Sequence, residues 1–104
     1  MSVLLEFSMF PLGKGESLST EVSGIVDLIR SSGHDYKLTA MGTIVETNDL
    51  KDALALVDSA YQLLEQANHQ RVYASIKLDI RKGRSHRLSE KVRSIEARIG
   101  QVNQ

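Results

Sequence analysis

The strictest pattern in this chain is the alternation of side chains in two segments, residues 3–10 and 72–81. A period of two is that of a β-strand, so the pattern predicts two long strands near opposite ends of the chain. In the second segment one face carries Val72, Ala74, Ile76, Leu78 and Ile80, and the other carries Tyr73, Ser75, Lys77, Asp79 and Arg81. In the first, Val3, Leu5, Phe7 and Met9 oppose a mixed face of Leu4, Glu6, Ser8 and Phe10.

Three segments show helical spacing of apolar residues. The first follows "PLGKGE", with Ser17 as a candidate N-cap, and stops at Gly33. The second is "NDLKDALALVDSAYQLLEQAN", which Asn48 or Asp49 can cap, and the last ends before Gly100. Their apolar positions are Leu18, Val22, Ile25 and Ile29, then Leu50, Ala53, Leu54, Val57, Tyr61 and Leu64, then Leu88, Val92, Ile95 and Ile99.

The segment "HDYKLTAMGTIVETN" predicts two short strands, 35–41 and 43–47, which turn near Gly42. The order is then β-α-β-β-α-β followed by a helix. The simplest packing is an α+β, ferredoxin-like fold, with one antiparallel sheet, both crossover helices on one face and a C-terminal helix. The other sheet face is expected to be uncovered, and its mixture of Leu4, Phe10 and Tyr73 with charged residues suits a sheet-to-sheet dimer or a ligand site.

Length and charge narrow the function classes. The 104 residues fit one domain, 1–104. Thirteen basic and thirteen acidic residues cancel, which argues against nucleic-acid and membrane partners. The absence of cysteine excludes disulfides and thiolate chemistry. "MSVLLEFSMF" is a poor signal peptide and no apolar run approaches the roughly 20 residues of a membrane span, so we expect a cytoplasmic protein.

The "GKG" of residues 13–15 invites a phosphate-loop interpretation. A Walker loop requires G-x-x-x-x-G-K-[ST], and here one residue separates the glycines and no Ser or Thr follows Lys14. A plain strand-to-helix turn is the favoured interpretation, with a ligand contact as the alternative.

Other candidate chemistry is weak. Glu6 and Glu46 fall on strands and can act as an acid–base pair only if they face each other. No serine has a matching His and Asp, and the three histidines lack metal-site spacing and are expected at the surface. The basic run "RKGRSHR" is expected to be a solvated loop, since only Tyr73 is available for stacking RNA bases. We therefore expect no catalytic residue, metal or cofactor.

Four stretches carry a resemblance that covers almost the whole chain. They are "EFSMFPLGKGESLS", "YKLTAMGTIVET", "RVYASIKLDIRKG" and "EKVRSI", in this order. Together they resemble the small thiamine-binding protein family, also called the MTH1187/YkoF-like or UPF0045 group. The pairing of P-L-G-x-G with M-G-T is the most specific part of the resemblance. Ala40, Thr47, Lys14, Asn68 and Ile80 depart from the residues usual in that family.

The resemblance implies a ferredoxin-like subunit that assembles through its sheet into homodimers or homotetramers and binds thiamine or its hydroxymethyl-pyrimidine moiety without catalysis. A carboxylate can accept from the amino group of an aminopyrimidine, hydroxyls can serve its ring nitrogens, and apolar side chains can cover the ring. The candidate ligand-binding residues are Glu6, Ser8, Phe10, Gly13, Met41, Gly42, Thr43 and Glu46.

Two hypotheses follow. The first is a non-enzymatic thiamine- or pyrimidine-binding protein, and the second is a structural or regulatory oligomer with no small-molecule ligand, whose open sheet face binds itself. An enzyme acting on a phosphorylated metabolite comes third, since it rests only on "GKG" and "RKGR".

Overall fold

The computed structural model describes residues 1–13 and 18–104, and the predicted N-cap Ser17 and the lysine of "GKG" lie outside these ranges. The elements are β1 (Ser2–Pro11), α1 (Ser19–Ser31), β2 (Asp35–Thr39), β3 (Gly42–Thr47), α2 (Leu50–Gln66), β4 (Val72–Arg81) and α3 (Arg87–Ile99). The four strands form one antiparallel sheet in the order β2-β3-β1-β4. The predicted α+β, ferredoxin-like element order is confirmed.

The core lies between one sheet face and the helices α1 and α2. The alternating residues of β1 point into it, together with Val45 of β3. From α1 and α2 the buried apolar residues are Ile25, Ile29, Ala53, Leu56, Ala60 and Leu64. The helix α2 begins at Leu50 because the side chain of Asp49 accepts a hydrogen bond from the backbone N–H of Asp52, as an N-cap should.

The opposite sheet face is not fully open, which corrects the expectation from the sequence. The C-terminal helix α3 packs against β1 and β3. At this end the guanidinium of Arg87 bonds to Ser2, and Lys37 on β2 bonds to Gln104 beyond the helix. The part of this face that α3 leaves exposed, around Glu6 and Tyr73, is therefore smaller than a whole four-stranded sheet.

The two long strands differ in how much of their apolar faces the helices cover. Val3, Leu5 and Phe7 on β1 are at most 2% exposed. Their register partners on β4, Ile80, Leu78 and Ile76, share the same sheet face but are 48%, 37% and 48% exposed. The helices cover the centre of the sheet and leave its β4 edge bare.

Candidate functional site

A cavity of about 390 Å³ lies where β1 passes the β2–β3 turn, beneath α1. We call it the hairpin cavity. It is lined by Phe7, Ser8, Met9, Phe10, Val22, Ile25, Val26, Leu38, Thr39, Ala40, Met41, Gly42 and Thr43. Five of the eight predicted ligand-binding residues are among these: Ser8, Phe10, Met41, Gly42 and Thr43. The structure thus brings the end of the first strand and the M-G-T turn around one space.

The β2–β3 turn is held by a single hydroxyl. Thr39 Oγ1 donates to the carbonyl oxygen of Gly42 (2.8 Å) and accepts from the backbone N–H groups of Met41 (3.2 Å) and Gly42 (3.1 Å). A Cβ at Gly42 would lie 3.0 Å from the carbonyl oxygen of Phe7, so only glycine allows the turn to approach β1 this closely. These two residues fix the cavity wall.

The strand β1 offers free backbone groups to this cavity. Its pairing with β3 ends at Phe7 opposite Thr43, whereas its pairing with β4 continues to Pro11. Beyond Ser8, the side of β1 that faces away from β4 therefore has no strand partner within residues 1–13 and 18–104. Backbone N–H and C=O groups exposed in this way can receive the hydrogen-bonding edge of a planar ligand.

Thr43 supplies a polar side chain from the wall of the cavity. The residue is 6% exposed, yet its hydroxyl makes no hydrogen bond to any part of the chain that the structure describes. The hydroxyl oxygen is not completely buried, because no described side-chain nitrogen or oxygen is fully buried without a hydrogen-bond partner. The hydroxyl is therefore open to the cavity and can both donate and accept.

The apolar side chains around the cavity are unusually exposed. Met41 is 88% exposed and Leu38 61%, and Val22 on α1 is also exposed. Exposed apolar residues grouped at one place mark a binding surface more often than isolated ones do. The sequence analysis did not identify Val22, Ile25, Val26 and Leu38 as cavity residues, and Val22 and Ile25 appeared there only as apolar positions of the first helix.

A wider groove continues from the hairpin cavity. It encloses about 600 Å³ between α1 and β2, and Val22, Val26 and Leu38 line both spaces. Its other wall is polar and includes Ser23, Asp27 and Arg30. The groove is continuous with the hairpin cavity through Val22, Val26 and Leu38, and adds the half-buried Tyr36 as an aromatic residue of its own.

Glu6 lies in a neighbouring cavity of about 270 Å³, lined by Glu6, Phe7, Ser8, Met41, Ser75, Ile76 and Lys77, which we call the open-face cavity. Its carboxylate is about half exposed, and Glu6 Oε1 is 3.6 Å from Lys77 Nζ. The two cavities share Phe7, Ser8 and Met41. Glu6 is therefore adjacent to the hairpin cavity without lining it.

The structure does not bring Glu46 to either of these cavities. Its carboxylate accepts from Ser2 Oγ (2.5 Å) and from the backbone N–H groups of Arg87 and Leu88 (both 3.0 Å). The two N–H groups belong to the first turn of α3, whose own N-cap residue, His86, makes no capping bond with its side chain. Glu46 thus caps α3 across the sheet.

These contacts change the acidity of Glu46. Partial burial raises the pKa of the carboxyl, but the hydrogen bonds from Ser2, Leu88 and Arg87 and the positive charge of Arg87 act in the opposite direction, and together they hold the pKa below its ordinary value. Glu6 and Glu46 point to the same sheet face but lie at different ends of it. The carboxylate of Glu46 is hydrogen-bonded to the first turn of α3. The two residues do not form an acid–base pair.

Gly13 is near neither cavity wall. Its φ of +84° lies in the left-handed region that glycine tolerates, and no atom lies within 4 Å of where its Cβ would be. Next to it, the backbone N–H of Leu12 donates to the carbonyl of Arg71 (2.8 Å), which ties the end of β1 to the start of β4. On the open sheet face, Phe10 packs against Tyr73, with the rings tilted by 39° and their centroids 5.8 Å apart.

One histidine differs from its predicted surface position. The side chain of His69 is only 5% exposed, and its Nε2 lies 3.7 Å from Glu21 Oε1. The histidine follows α2 and reaches back to the first turn of α1, because Asn68 before it adopts a positive φ of 64°. Within residues 1–13 and 18–104, no group of three or more His, Asp or Glu side chains is placed to hold a metal ion.

None of the described helices has the length and apolar character that a membrane span requires.

Comparison with known proteins identifies the family to which the chain belongs. A family model described as "Thiamine-binding protein" matches residues 5–96. A UPF0045 protein of Methanothermobacter thermautotrophicus is 32% identical over 98 residues, which cover 93% of this chain and 99% of that protein. UPF0045 protein Mb1933 of Mycobacterium bovis is 35% identical over 96 residues, covering 92% and 93% of the two chains.

A solved structure shows the same fold. The crystal structure of MJ1052 from Methanocaldococcus jannaschii superimposes with a TM-score of 0.78 at 31% identity, and the match covers 90% of this chain and 95% of that one. The family model spans both motifs that line the hairpin cavity. The chain therefore belongs to the thiamine-binding protein family, also known as UPF0045.

Proposed function

We propose that this protein binds thiamine, or its hydroxymethyl-pyrimidine moiety, in the hairpin cavity and does not transform it. The observation that carries the proposal is the convergence of Ser8, Met41, Gly42 and Thr43 on one cavity beside an unpaired strand edge. Membership of the thiamine-binding family supports the choice of ligand. The cavity volume of about 390 Å³ lies within the range of small-molecule sites, roughly 300–1,000 Å³.

The pyrimidine ring is the part that we assign to the hairpin cavity. An aminopyrimidine presents an amino donor beside a ring-nitrogen acceptor, and a strand edge presents carbonyl acceptors beside N–H donors. The free edge of β1 beyond Ser8 matches this pattern, and the Thr43 hydroxyl can satisfy a further ring nitrogen. Apolar contacts from Ile25, Val26 and Met41 can then cover the ring faces.

The cationic thiazolium ring of thiamine requires a different environment. We assign it to the open-face cavity, where Glu6 provides a carboxylate and Met41 lines both spaces. Lys77 already faces Glu6, but the pair is solvent-exposed and so contributes little energy. A bound cation can therefore replace the lysine without a large loss.

Binding without catalysis agrees with the residues around the ring. The described lining of the hairpin cavity consists of apolar side chains, hydroxyls and backbone groups, and includes no titratable side chain. Such a wall can orient a ligand by hydrogen bonds, but it holds no general acid or base.

The hydroxyl of Thr43 provides the test of this proposal. Substitution Thr43→Val keeps the shape of the side chain and removes the hydroxyl, and we expect thiamine affinity to fall about tenfold, since a lost ligand hydrogen bond costs about 1.4 kcal/mol. Isothermal titration calorimetry with thiamine and with hydroxymethyl-pyrimidine measures the effect. Both ligands should lose affinity equally if the hydroxyl contacts the pyrimidine.

Thr47→Val is the matched control. It makes the same chemical change on the same strand, but the Thr47 hydroxyl donates to the carbonyl of Asp49 (2.7 Å), before α2, and lines no cavity. The thiamine affinity of the Thr47→Val variant should equal that of the wild type. Absence of a binding heat up to millimolar thiamine, or equal losses in both variants, would contradict the proposal.

A structural or regulatory oligomer without a ligand remains the second candidate. Tyr73 is 55% exposed on the part of the sheet face that α3 leaves open, and this observation favours self-association through that face. An oligomer that forms without thiamine and gives no heat with it would favour this candidate. Saturable binding at one ligand per chain would favour the first.

A further inference from the structure

The basic run after β4 contributes to a further cavity, which the proposed function does not use. The cavity encloses about 520 Å³ between the open sheet face and α3, and we call it the basic cavity. Leu4 and Asp79, which are register partners on β1 and β4, form its sheet side. The lining residues are Leu4, Asp79, Arg81, Arg84, Arg87, Glu90, Lys91 and Ser94.

Two local features bring these residues together. The four from α3 begin at Arg87 and follow the spacing i, i+3, i+4 and i+7, so they share one face of the helix. Gly83 adopts a positive φ of 74° and turns the chain between β4 and α3. As a result, Arg81 before the turn and Arg84 after it border the same space. Three arginines of the run "RKGRSHR" therefore line one cavity.

The basic cavity carries an excess of positive charge. Four of its side chains are basic and two are acidic, in a chain whose formal net charge is zero. Each acid is already paired with an arginine, Asp79 at 2.9 Å and Glu90 at 3.1 Å. The exposed side chains of Arg81 and Lys91 have no ion-pair or hydrogen-bond partner within residues 1–13 and 18–104. Two positive charges are therefore available to an anion.

Phosphate is the anion that suits these side chains. Arg81 offers a planar fork of N–H donors that can bond two phosphate oxygens at once, and Lys91 offers a compact positive charge. Ser94, about one turn further along α3, adds a hydroxyl donor. A phosphate monoester presents three acceptor oxygens and a charge of about −1.5 to −2, so it can use donors from both the strand and the helix.

The basic cavity lies in line with the two cavities that we assign to thiamine. On the open sheet face, β1 carries Ser8, Glu6 and Leu4 in succession. Ser8 lines both the hairpin cavity and the open-face cavity, Glu6 lines the open-face cavity, and Leu4 lines the basic cavity. At the rise of a β-strand, the distance from Ser8 to Leu4 is roughly 13 Å. The three cavities thus follow one another along β1 within the length of a small ligand.

A phosphate ester of thiamine has its parts in the same order. A methylene group joins the pyrimidine to the thiazolium ring, and a two-carbon arm joins that ring to the phosphate. From these observations we propose that the ligand is a phosphate ester of thiamine, whose phosphate group occupies the basic cavity. The inference rests on the proposed function, because it keeps both rings in the cavities assigned there, and it names the form of thiamine that the site prefers.

Lys77 connects the thiazolium end of the site to the phosphate end. It lies between the open-face cavity and Asp79 on β4, is 82% exposed in its side chain, and is 3.6 Å from Glu6. When the thiazolium ring pairs with Glu6, the released ammonium group can turn toward the phosphate. One exposed ion pair is then replaced by two contacts with the ligand, of opposite charge. Free thiamine can make only the first of these contacts.

Calorimetry with thiamine and with thiamine monophosphate measures the preference. We expect the wild type to bind the monophosphate about tenfold more tightly, as charge-assisted hydrogen bonds at a partly exposed site allow. Hydroxymethyl-pyrimidine phosphate is the control ligand. Its phosphate lies beside the pyrimidine ring and cannot reach the basic cavity, so it should bind no more tightly than hydroxymethyl-pyrimidine.

A double variant, Arg81→Gln with Lys91→Gln, removes the two unpaired charges. Its affinity for the monophosphate should fall about tenfold, to the value for thiamine. Lys82→Gln with Arg93→Gln is the matched control, because it also removes one charge from the basic run and one from α3, but neither residue lines the basic cavity. The control should keep the wild-type preference. Both double variants should bind thiamine as the wild type does, which also shows that the subunit is folded.

The outcomes separate this inference from the proposed function. If neither thiamine nor its monophosphate gives a binding heat, the proposed function fails and the inference fails with it. If thiamine binds and the monophosphate binds equally or more weakly, the inference alone is overturned. Equal losses of monophosphate affinity in the two double variants, or a tenfold gain for hydroxymethyl-pyrimidine phosphate, would overturn the assignment of the phosphate to the basic cavity.

Discussion

The two ends of strand β3 use polar residues in opposite ways. At one end Glu46 accepts three hydrogen bonds and caps α3. At the other, three residues away, the Thr43 hydroxyl bonds to nothing in the described chain and faces a cavity. The comparison shows that neighbours decide the role of a polar strand residue, since both were equally plausible ligand contacts in the sequence.

The largest expected effect on stability is that of removing Arg87, at the Glu46 end of β3. Its side chain is 9% exposed and donates to the hydroxyl and carbonyl of the buried Ser2 and to the exposed Asp79, so Arg87→Met removes these bonds and leaves the buried Ser2 carbonyl without this donor. We expect the free energy of unfolding to fall by about 2 kcal/mol, measured by urea denaturation, while thiamine affinity stays unchanged.

Arg84→Met is the matched control. Arg84 comes from the same basic run and pairs with Glu90 at 3.1 Å, but both side chains are more than 40% exposed. The loss should be at most about 0.5 kcal/mol. Equal losses in the two variants would show that the buried contacts of Arg87 contribute no more to stability than an exposed ion pair.

Gly42→Ala should perturb the other end of β3, which lines the hairpin cavity. Its new Cβ would lie 3.0 Å from the carbonyl oxygen of Phe7, so the turn must move away from β1, at a cost of about 1–2 kcal/mol in unfolding free energy. Thiamine affinity, measured by calorimetry, should fall by at least tenfold because the cavity wall moves with the turn.

Gly24→Ala should change the free energy of unfolding in the opposite direction. Gly24 is an exposed residue inside α1 with no atom within 4 Å of the new Cβ, so alanine should stabilise the helix by about 0.5–1 kcal/mol. Thermal unfolding of both variants tests the pair. A gain in stability for Gly42→Ala would mean that the close approach to β1 is not required.

The acid dependence of stability gives the smallest effect. Because the folded pKa of Glu46 lies below its ordinary value of 4.5, the ionised carboxylate stabilises the fold above that pH, and the contribution is lost as pH falls through the lower, folded pKa. Glu46→Gln should cost about 1 kcal/mol at pH 7 and progressively less in acid.

Urea denaturation of the wild type and of Glu46→Gln between pH 7 and pH 3 measures this difference. A constant difference across the range would contradict the role assigned to the charge. Loss of thiamine affinity at pH 7 would instead return Glu46 to the ligand site.

The element order and most of the cavity were predictable from the sequence. The family resemblance carried by the P-L-G and M-G-T motifs indicated Ser8, Phe10, Met41, Gly42 and Thr43 as ligand contacts. Period-two alternation identified β1 and β4, and helical spacing identified the three helices. These signals are local, because strand and helix periods follow from backbone geometry. The role of Val22 and Leu38 was not local, since it depends on where α1 crosses the turn between β2 and β3.

The sequence by itself determined which residues of one strand share a face, since alternation places Glu6, Ser8 and Phe10 on one side of β1 whatever surrounds them. Only the tertiary structure decided what each face meets. It placed the first turn of α3 over Glu46, left Thr43 facing a cavity, and left Ile76, Leu78 and Ile80 exposed beside the buried residues of β1. The physical reason is that coverage depends on contacts between elements far apart in the chain, and no local period records which element will lie above another.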